Sequence, residues 1–105
     1  MKKTYNLQCP VARALDILGE RWTCLILRDL VLHKTRRFQD LQESLAGIAP
    51  NTLSDRLKGL ESSGLVKRRL YAEHPPRMEY VLTPKGQKAG LVVKALRDWG
   101  SSLVT

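Results

Sequence analysis

The sequence predicts an α+β fold that is mostly helical: a single winged helix-turn-helix domain with a two-stranded wing and extra terminal helices. Three observations predict this fold. Leucines spaced for one face of a helix lie between Pro50 and Gly64. Two runs of alternating apolar and polar residues follow, separated by a tip that contains prolines. A long apolar stripe with helical spacing then occupies the end of the chain.

Length and charge narrow the possible functions. A chain of 105 residues can bury one modest core, so we expect one domain over residues 1–105, with its core at about 7–100. The net charge of +8 favours a polyanionic partner. Because the basic residues are spread over several elements, nucleic acid is a better candidate for this partner than a membrane. No apolar run approaches the length of a bilayer span, and no apolar signal region follows the basic N-terminus. We therefore expect a cytoplasmic protein that does not bind membranes.

Two helices are predicted before the helix-turn-helix, after a short basic tail at residues 1–8. The first begins at Cys9-Pro10 and runs to about residue 18, where Gly19 ends it. The second covers about residues 20–32, and its broad apolar surface belongs at the centre of a small core. The polar connector that follows, residues 33–37, has room for a very short strand.

A helix-turn-helix is predicted from residue 38 to residue 63. A short third helix covers residues 38–45 and turns through Ala46-Gly47-Ile48 into a fourth helix. Pro50 suits the first position of that fourth helix, because its missing N–H would have no partner there anyway. Gly64 stands where a left-handed closing residue is needed. The fourth helix would be the recognition helix, which enters the major groove of DNA.

The outward face of the fourth helix carries mostly short hydrogen-bonding side chains. Such side chains suit the reading of base edges in a major groove, although an ordinary solvated helix face could have the same composition. The candidate contacts to bases and nearby phosphates on this helix are Asn51, Thr52, Ser54, Asp55, Arg56 and Lys58.

A basic β-hairpin is predicted after the recognition helix. Its strands cover about residues 65–73 and 77–83, and the prolines are confined to the tip His74-Pro75-Pro76. A helix-turn-helix followed by such a hairpin is a winged helix, whose wing lies along the phosphate backbone or enters a minor groove. The candidate phosphate contacts on the wing and the connector are Arg36, Arg37, Arg68, Arg69 and Arg77.

The last helix begins with Thr83 as its cap and Pro84 at its first position. Its apolar stripe runs from Ala89 to Leu103, and little core remains for it to cover. The excess predicts a two-fold dimer interface, and the alternative is a helix that packs wholly within its own domain.

Four ordered motifs resemble those of the HxlR-type winged-helix regulators, relatives of the MarR group. They are CPVARALDILGERW at 9–22, RFQDL at 37–41, LSDRL at 53–57 and PPRMEYVLTPKG at 75–86. The resemblance covers nearly the whole chain. It implies a bacterial or archaeal transcription factor that dimerises through its N- and C-terminal helices and places two recognition helices in successive major grooves. The chain departs from the pattern at Gly59, where the family more often has a helix former.

The two cysteines predict different roles. Cys9 immediately precedes the helical Pro10, and free N–H groups at a helix N-terminus stabilise a thiolate. Relatives in the resembled family use a cysteine at this position to sense oxidants or electrophiles, so Cys9 is a redox-sensing candidate. The alternatives are a structural cysteine, as we expect for Cys24 on its apolar helix, and a small effector as the signal.

The function predicted is therefore sequence-specific binding of double-stranded DNA by a homodimer, on a near-palindromic operator with half-sites about 10 bp apart. The alternatives are a winged-helix module that binds DNA without specificity or contacts proteins, and a regulator that responds to a small molecule. No catalytic arrangement, metal-ligand spacing or phosphate loop is visible, so we expect neither an enzyme nor a cofactor.

Overall fold

The computed structural model describes residues 9–103, and the predicted basic tail at residues 1–8 lies outside them. The helices and strands follow the order expected for a winged helix, and the connector holds one short strand. The elements are α1 (Pro10–Leu18), α2 (Arg21–His33), β1 (Thr35–Arg36), α3 (Phe38–Ser44), α4 (Pro50–Ser62), β2 (Val66–Glu73), β3 (Pro76–Leu82) and α5 (Pro84–Ser101).

Helix α2 lies at the centre of the core, as its broad apolar surface predicts. The side chains of Ile26, Leu27 and Leu30 are at most 1% exposed. They pack in one cluster with α3, α4 and the start of the sheet. The members that these other elements contribute with less than 3% exposure are Leu41, Leu45, Leu53, Leu57, Leu60 and Val66. The leucine spacing of α4 therefore fixes which face of the recognition helix turns outward.

The sheet has three antiparallel strands in the order β1-β3-β2, so β1 extends the predicted two-stranded hairpin. In β1, Arg36 pairs with Tyr80 of β3. The pairing of β2 with β3 shifts between Leu70 and Ala72, where an irregularity breaks the strict alternation that the sequence indicates. Pro76 forms the first residue of β3 rather than part of the tip, a position where a strand tolerates proline.

Helix α5 is joined to the end of α4 through Thr83. The Thr83 hydroxyl accepts a hydrogen bond from the backbone N–H of Gly86 and donates to the carbonyl of Gly64. Gly64 has a φ of +78°, as the closing residue of α4 requires. A Cβ atom at Gly86 would collide with the carbonyl of Leu65, so α5 can begin only with glycine at that position.

The terminal helices leave apolar side chains uncovered. No residue of α1 is buried, and the stripe predicted for it includes Val11 and Leu15, which are 65% and 49% exposed. On α5, Leu96 and Trp99 are 48% and 65% exposed. The alternative that α5 packs wholly within its own domain is therefore wrong. Across residues 9–103, none of the helices combines the length and the apolar character needed to cross a membrane.

Candidate nucleic-acid interface

Helix α4 presents a polar face opposite its buried leucines. Asn51, Asp55 and Lys58 are exposed on this face, and Thr52 and Ser54 are half-buried at its edges. Within residues 9–103 the side chains of these five residues form no hydrogen bond or ion pair, so their donors and acceptors are available to a ligand. The face combines neutral donors and acceptors with one carboxylate and one ammonium group, which can hydrogen-bond to base edges and to phosphates.

Arg56 is the exception among the α4 candidates. Its Nε atom lies 3.1 Å from Oε1 of Glu20, which also accepts a hydrogen bond from the backbone N–H of Trp22. Glu20 therefore caps the N-terminus of α2 and holds Arg56 at the junction of α2 and α4. The same Nε atom is buried without a well-directed hydrogen bond, so the contact with Glu20 is chiefly ionic.

The turn between α3 and α4 sets the direction of the recognition helix. Gly47 has a φ of +91°, a conformation that favours glycine. The next residue, Ile48, is buried in the core and anchors the turn there.

At the other end of α3, Asp40 accepts a hydrogen bond from the backbone N–H of Arg37 at 3.0 Å. This bond holds the pKa of Asp40 below its ordinary value, so the carboxylate stays charged at the helix N-terminus. The guanidinium of Arg37 is more than half exposed beside it.

Arg36 in β1 points inward rather than toward solvent. Its Nε atom donates a 3.1 Å hydrogen bond to Oδ2 of Asp29, a carboxylate only 2% exposed on α2. The hydroxyl of Ser44 donates to Oδ1 of the same carboxylate at 2.8 Å. Asp29 thereby ties both ends of the α3 segment to α2, which keeps the helix-turn-helix at a fixed angle to the core.

The wing arginines Arg68 and Arg69 lie on opposite faces of the sheet. Arg68 pairs in register with the half-buried Tyr80, and its Nε atom donates to Glu61 of α4 at 3.1 Å. Arg69 lies opposite Glu79 across the hairpin, where its Nη2 and Nε atoms donate to one carboxylate oxygen at 2.7 and 2.9 Å. Both arginines are therefore neutralised by an acid in the free protein, although each remains more than half exposed.

Arg77 differs from the other wing arginines because no acidic side chain in the described part of the chain pairs with it. It is exposed at the start of β3, next to the hairpin tip, and its guanidinium makes no hydrogen bond or ion pair with any residue between 9 and 103. Lys67 on β2 is likewise exposed, and its ammonium group has no partner within that range. Lys67 is not among the phosphate contacts that the sequence predicts.

The two cysteines lie in different surroundings, as the sequence predicts. Cys9 is exposed and caps α1 through its backbone, but its thiol makes no capping hydrogen bond. Cys24 lies on α2, where its thiol contacts the carbonyl oxygen of Leu18 at 3.4 Å. Burial, with a smaller contribution from Glu20, raises the pKa of the Cys24 thiol and keeps it protonated. No group of acidic, His and Cys side chains between residues 9 and 103 is arranged to hold a metal ion.

Sequence patterns identify the exposed residues of this surface better than their partners. The pairing of Arg69 with Glu79 is readable once the strand register is known, since both residues lie on one face of the hairpin. The pairs Arg68–Glu61, Arg56–Glu20 and Arg36–Asp29 join different elements, and no local spacing indicates them. Because of these three ion pairs, the charges of the three arginines are already compensated in the free protein.

Comparisons with known proteins agree with this geometry. The family model described as HxlR-like helix-turn-helix matches residues 17–105. YvaP of Bacillus subtilis strain 168, an HTH-type transcriptional regulator, is 37% identical over 97 residues, which are 91% of this chain and 89% of YvaP. A crystal structure of a MarR-family regulator from Porphyromonas gingivalis W83 superposes with a TM-score of 0.85 and 33% identity, covering 97% of this chain and 99% of that one.

A third similar protein is a redox regulator. The oxidised form of HypR superposes with a TM-score of 0.85 and 30% identity, and the superposition covers 92% of this chain and 99% of the HypR chain. YvaP and the protein from Porphyromonas gingivalis are regulators of transcription, and the two solved structures share the winged-helix fold of this chain. The chain is therefore a transcriptional regulator that belongs to the HxlR-like helix-turn-helix family.

Proposed function

We propose that this regulator binds a specific DNA sequence in the cytoplasm as a homodimer, and that the polar face of α4 reads the bases. The observation that carries the proposal is the unpaired state of Asn51, Asp55 and Lys58 on an exposed helix face. Polar groups on a solvated face often pair with neighbours along the helix, whereas base-reading groups must be free to pair with DNA. Asn51 lies in the first turn of α4, and recognition helices use their N-terminal residues for base contacts.

Phosphate contacts are proposed for the arginines of the wing and connector. The ion pairs that each arginine makes in the free protein determine how easily it can reach a phosphate. Arg77 needs to break no ion pair to reach a phosphate. Arg37 and Arg68 are more than half exposed and can exchange a carboxylate for a phosphate at small cost, because exposed ion pairs contribute at most about 1 kcal/mol. Arg69 would have to leave two short hydrogen bonds to Glu79.

Arg36 and Arg56 remain candidates with a different expected contribution. Both guanidinium groups are held at junctions between elements, by Asp29 and Glu20. Withdrawing Arg36 would leave the buried Asp29 carboxylate without its main cationic partner, which is costly. We therefore propose that these two arginines act mainly by holding α3 and α4 in position.

The homodimer is proposed from the apolar faces of α1 and α5. Helices α1 and α5 expose Val11, Leu15, Leu96 and Trp99, each about half exposed or more. Leu103, which the sequence places on the last helix, lies just beyond the end of α5 at Ser101 and is also more than half exposed. Monomeric proteins rarely leave apolar surface of this kind uncovered, and a two-fold axis covers the same patch on both subunits at once. Such a dimer presents two α4 helices, which predicts a near-palindromic operator with half-sites about 10 bp apart.

The direct test is selection from random DNA duplexes with the reduced protein at near-physiological salt. A recovered palindrome with half-sites about one helical turn apart would support specific binding by a dimer. The Asn51→Ala variant should recover a motif with relaxed preference at one position in each half-site. Binding that depends on salt but yields no motif would favour the non-specific module instead, and absence of DNA binding would favour a protein-contact module.

Cys9 is proposed as a redox sensor because it is exposed at a helix N-terminus and because the chain is similar to the redox regulator HypR. The test compares DNA affinity before and after mild oxidation in the wild type and in Cys9→Ser. A change in affinity that is absent from Cys9→Ser supports the sensor, and Cys24→Ser serves as the matched control. Unchanged affinity after oxidation in the wild type would leave a small effector as the signal.

A further inference from the structure

A groove of about 900 Å³ lies on the face of the sheet that carries Lys67 and Arg69. Helix α5 forms one wall, and the C-terminal half of α2 forms the other. The two helices come close at Gly90, where a Cβ atom would lie only 3.0 Å from a methyl carbon of Val31. The groove has an apolar lining, which consists of Leu30, Val31, Leu32, Val81, Leu82, Leu91 and Val93.

The rim of this groove is cationic. Among residues 9–103 no Asp or Glu lines it, whereas six bases do: Arg28, Lys34, Lys67, Arg69, Lys94 and Arg97. The three arginines have acid partners next to the groove, in Asp29, Glu79 and Asp98. The three lysines have no partner in the described part of the chain, so they carry uncompensated charge around an apolar floor.

We propose that this groove binds an amphipathic organic anion, with an apolar body and a carboxylate or similar acidic head. Ligand sites are concave and mostly apolar, with a few polar groups that fix the orientation of the ligand. A cleft lined by charges of one sign also concentrates ligands of the opposite sign. The apolar body would cover Val81 and Val93 on the floor, and the head would meet the ammonium groups of Lys67 and Lys94.

The charges distinguish this ligand from other occupants. DNA would be attracted to the lysines but would gain nothing from an apolar floor. An apolar face of a second copy of this chain would cover the floor but would bring no counter-charge to the rim lysines. An anion with an apolar body is complementary to both parts of the groove.

The site goes beyond the proposed DNA binding and can be tested without DNA. In the sheet, Lys67 and Arg69 face the groove, while Arg68 faces α4 on the other side. Because binding in the groove is measured on the protein alone, a failure of the ligand proposal leaves the DNA proposal untouched. The reverse also holds, because loss of DNA specificity would not alter ligand binding.

The experiment titrates the full-length protein with octanoate, octanol and octylammonium at pH 7 and follows backbone and methyl resonances by NMR. These three probes share an eight-carbon body and differ in the charge of the head. We expect octanoate to bind more tightly than octanol and octylammonium to bind most weakly, with shifts centred on Val81, Leu91 and Val93.

Variants separate the cationic rim from general charge. We expect Lys67→Gln and Lys94→Gln each to weaken octanoate binding about threefold to fivefold. The double variant should weaken it about tenfold. Lys88→Gln is the matched control, because Lys88 is exposed on the same helix but does not line the groove. Octanol binding should be nearly the same in all four variants.

Three results would overturn the proposal. The first is equal affinity for octanoate and octanol, which would show that the lysines take no part. The second is a set of shifts confined to the apolar faces of α1 and α5, around Leu15 and Trp99. The third is an absence of octanoate binding together with dimer dissociation in Leu91→Gln, which would make the groove an interface between two copies.

Discussion

Asp29 on α2 and Arg36 on β1 form a partly buried ion pair, with Oδ2 of the carboxylate 3.1 Å from Nε of the guanidinium. Ser44 at the end of α3 donates to the other oxygen of Asp29. One carboxylate therefore connects the centre of the core to both sides of the first helix of the helix-turn-helix. An arginine that the sequence offers as a phosphate contact is thus part of the scaffold in the free protein.

Replacing Asp29 by Asn tests this scaffold role. We expect Asp29→Asn to lower the free energy of unfolding by about 1–3 kcal/mol, because the Arg36 guanidinium loses its charged acceptor in a half-buried site. The measurement is urea denaturation followed by circular dichroism. Asp98→Asn removes the acid of an exposed pair and should change the stability by less than about 0.5 kcal/mol. Equal effects of the two substitutions would contradict the assignment.

Arg77 is expected to be the clearest phosphate contact of the wing. Each phosphate neutralised by the protein contributes about 0.9 to the slope of log K against log salt. Arg77→Ala should therefore reduce that slope by about 0.9 per protomer bound and weaken binding to all sequences alike. Fluorescence anisotropy over a range of salt concentrations measures both effects. Lys88→Ala removes the same charge from α5 and should leave the slope nearly unchanged; a slope unaffected by Arg77→Ala would remove Arg77 from the interface.

Asn51 is expected to contribute specificity rather than general affinity. Asn51→Ala should weaken binding to the selected operator by about 1–3 kcal/mol, the usual discrimination of a well-formed base contact. Binding to unrelated duplexes should hardly change. Ser62→Ala is the matched control, because Ser62 is exposed at the opposite end of α4. Equal losses on the operator and on unrelated DNA would show that Asn51 contacts the backbone instead.

Gly59 lies in the interior of α4 with open space around it, since a Cβ atom there would meet nothing within 4 Å. We expect Gly59→Ala to raise the free energy of unfolding by up to about 1 kcal/mol, because alanine is the better helix former. Gly86→Ala should destabilise the protein, because its Cβ would collide with Leu65. Thermal denaturation of both variants measures these effects. A destabilised Gly59→Ala would mean that the helix is strained at this position.

The sequence predicts the elements because their signals are local. Pro50 and Pro84 stand at first helical positions, Gly64 closes α4, and the leucine spacing selects the buried face. The short strand β1 and the irregularity after Leu70 are less readable, because both depend on how β3 pairs with its neighbours.

The charges of the interface could be predicted only in part. An exposed arginine and a paired arginine look the same in a sequence, and the pairs of Arg56 with Glu20 and of Arg68 with Glu61 form only when distant elements pack. The groove between α2 and α5 is likewise a product of packing. Its lysines are far apart in the chain and line one groove only because α5 packs against α2 near Gly90, beside the sheet.

Two α4 helices of one dimer are proposed to read two half-sites on the same side of the DNA. The most direct measurement compares the affinity for the selected operator with the affinity for the same operator after five base pairs are inserted between its half-sites. The insertion rotates one half-site by about half a helical turn. We predict that affinity falls toward the level of unrelated DNA. An affinity unchanged by the insertion would contradict simultaneous reading by a two-fold dimer.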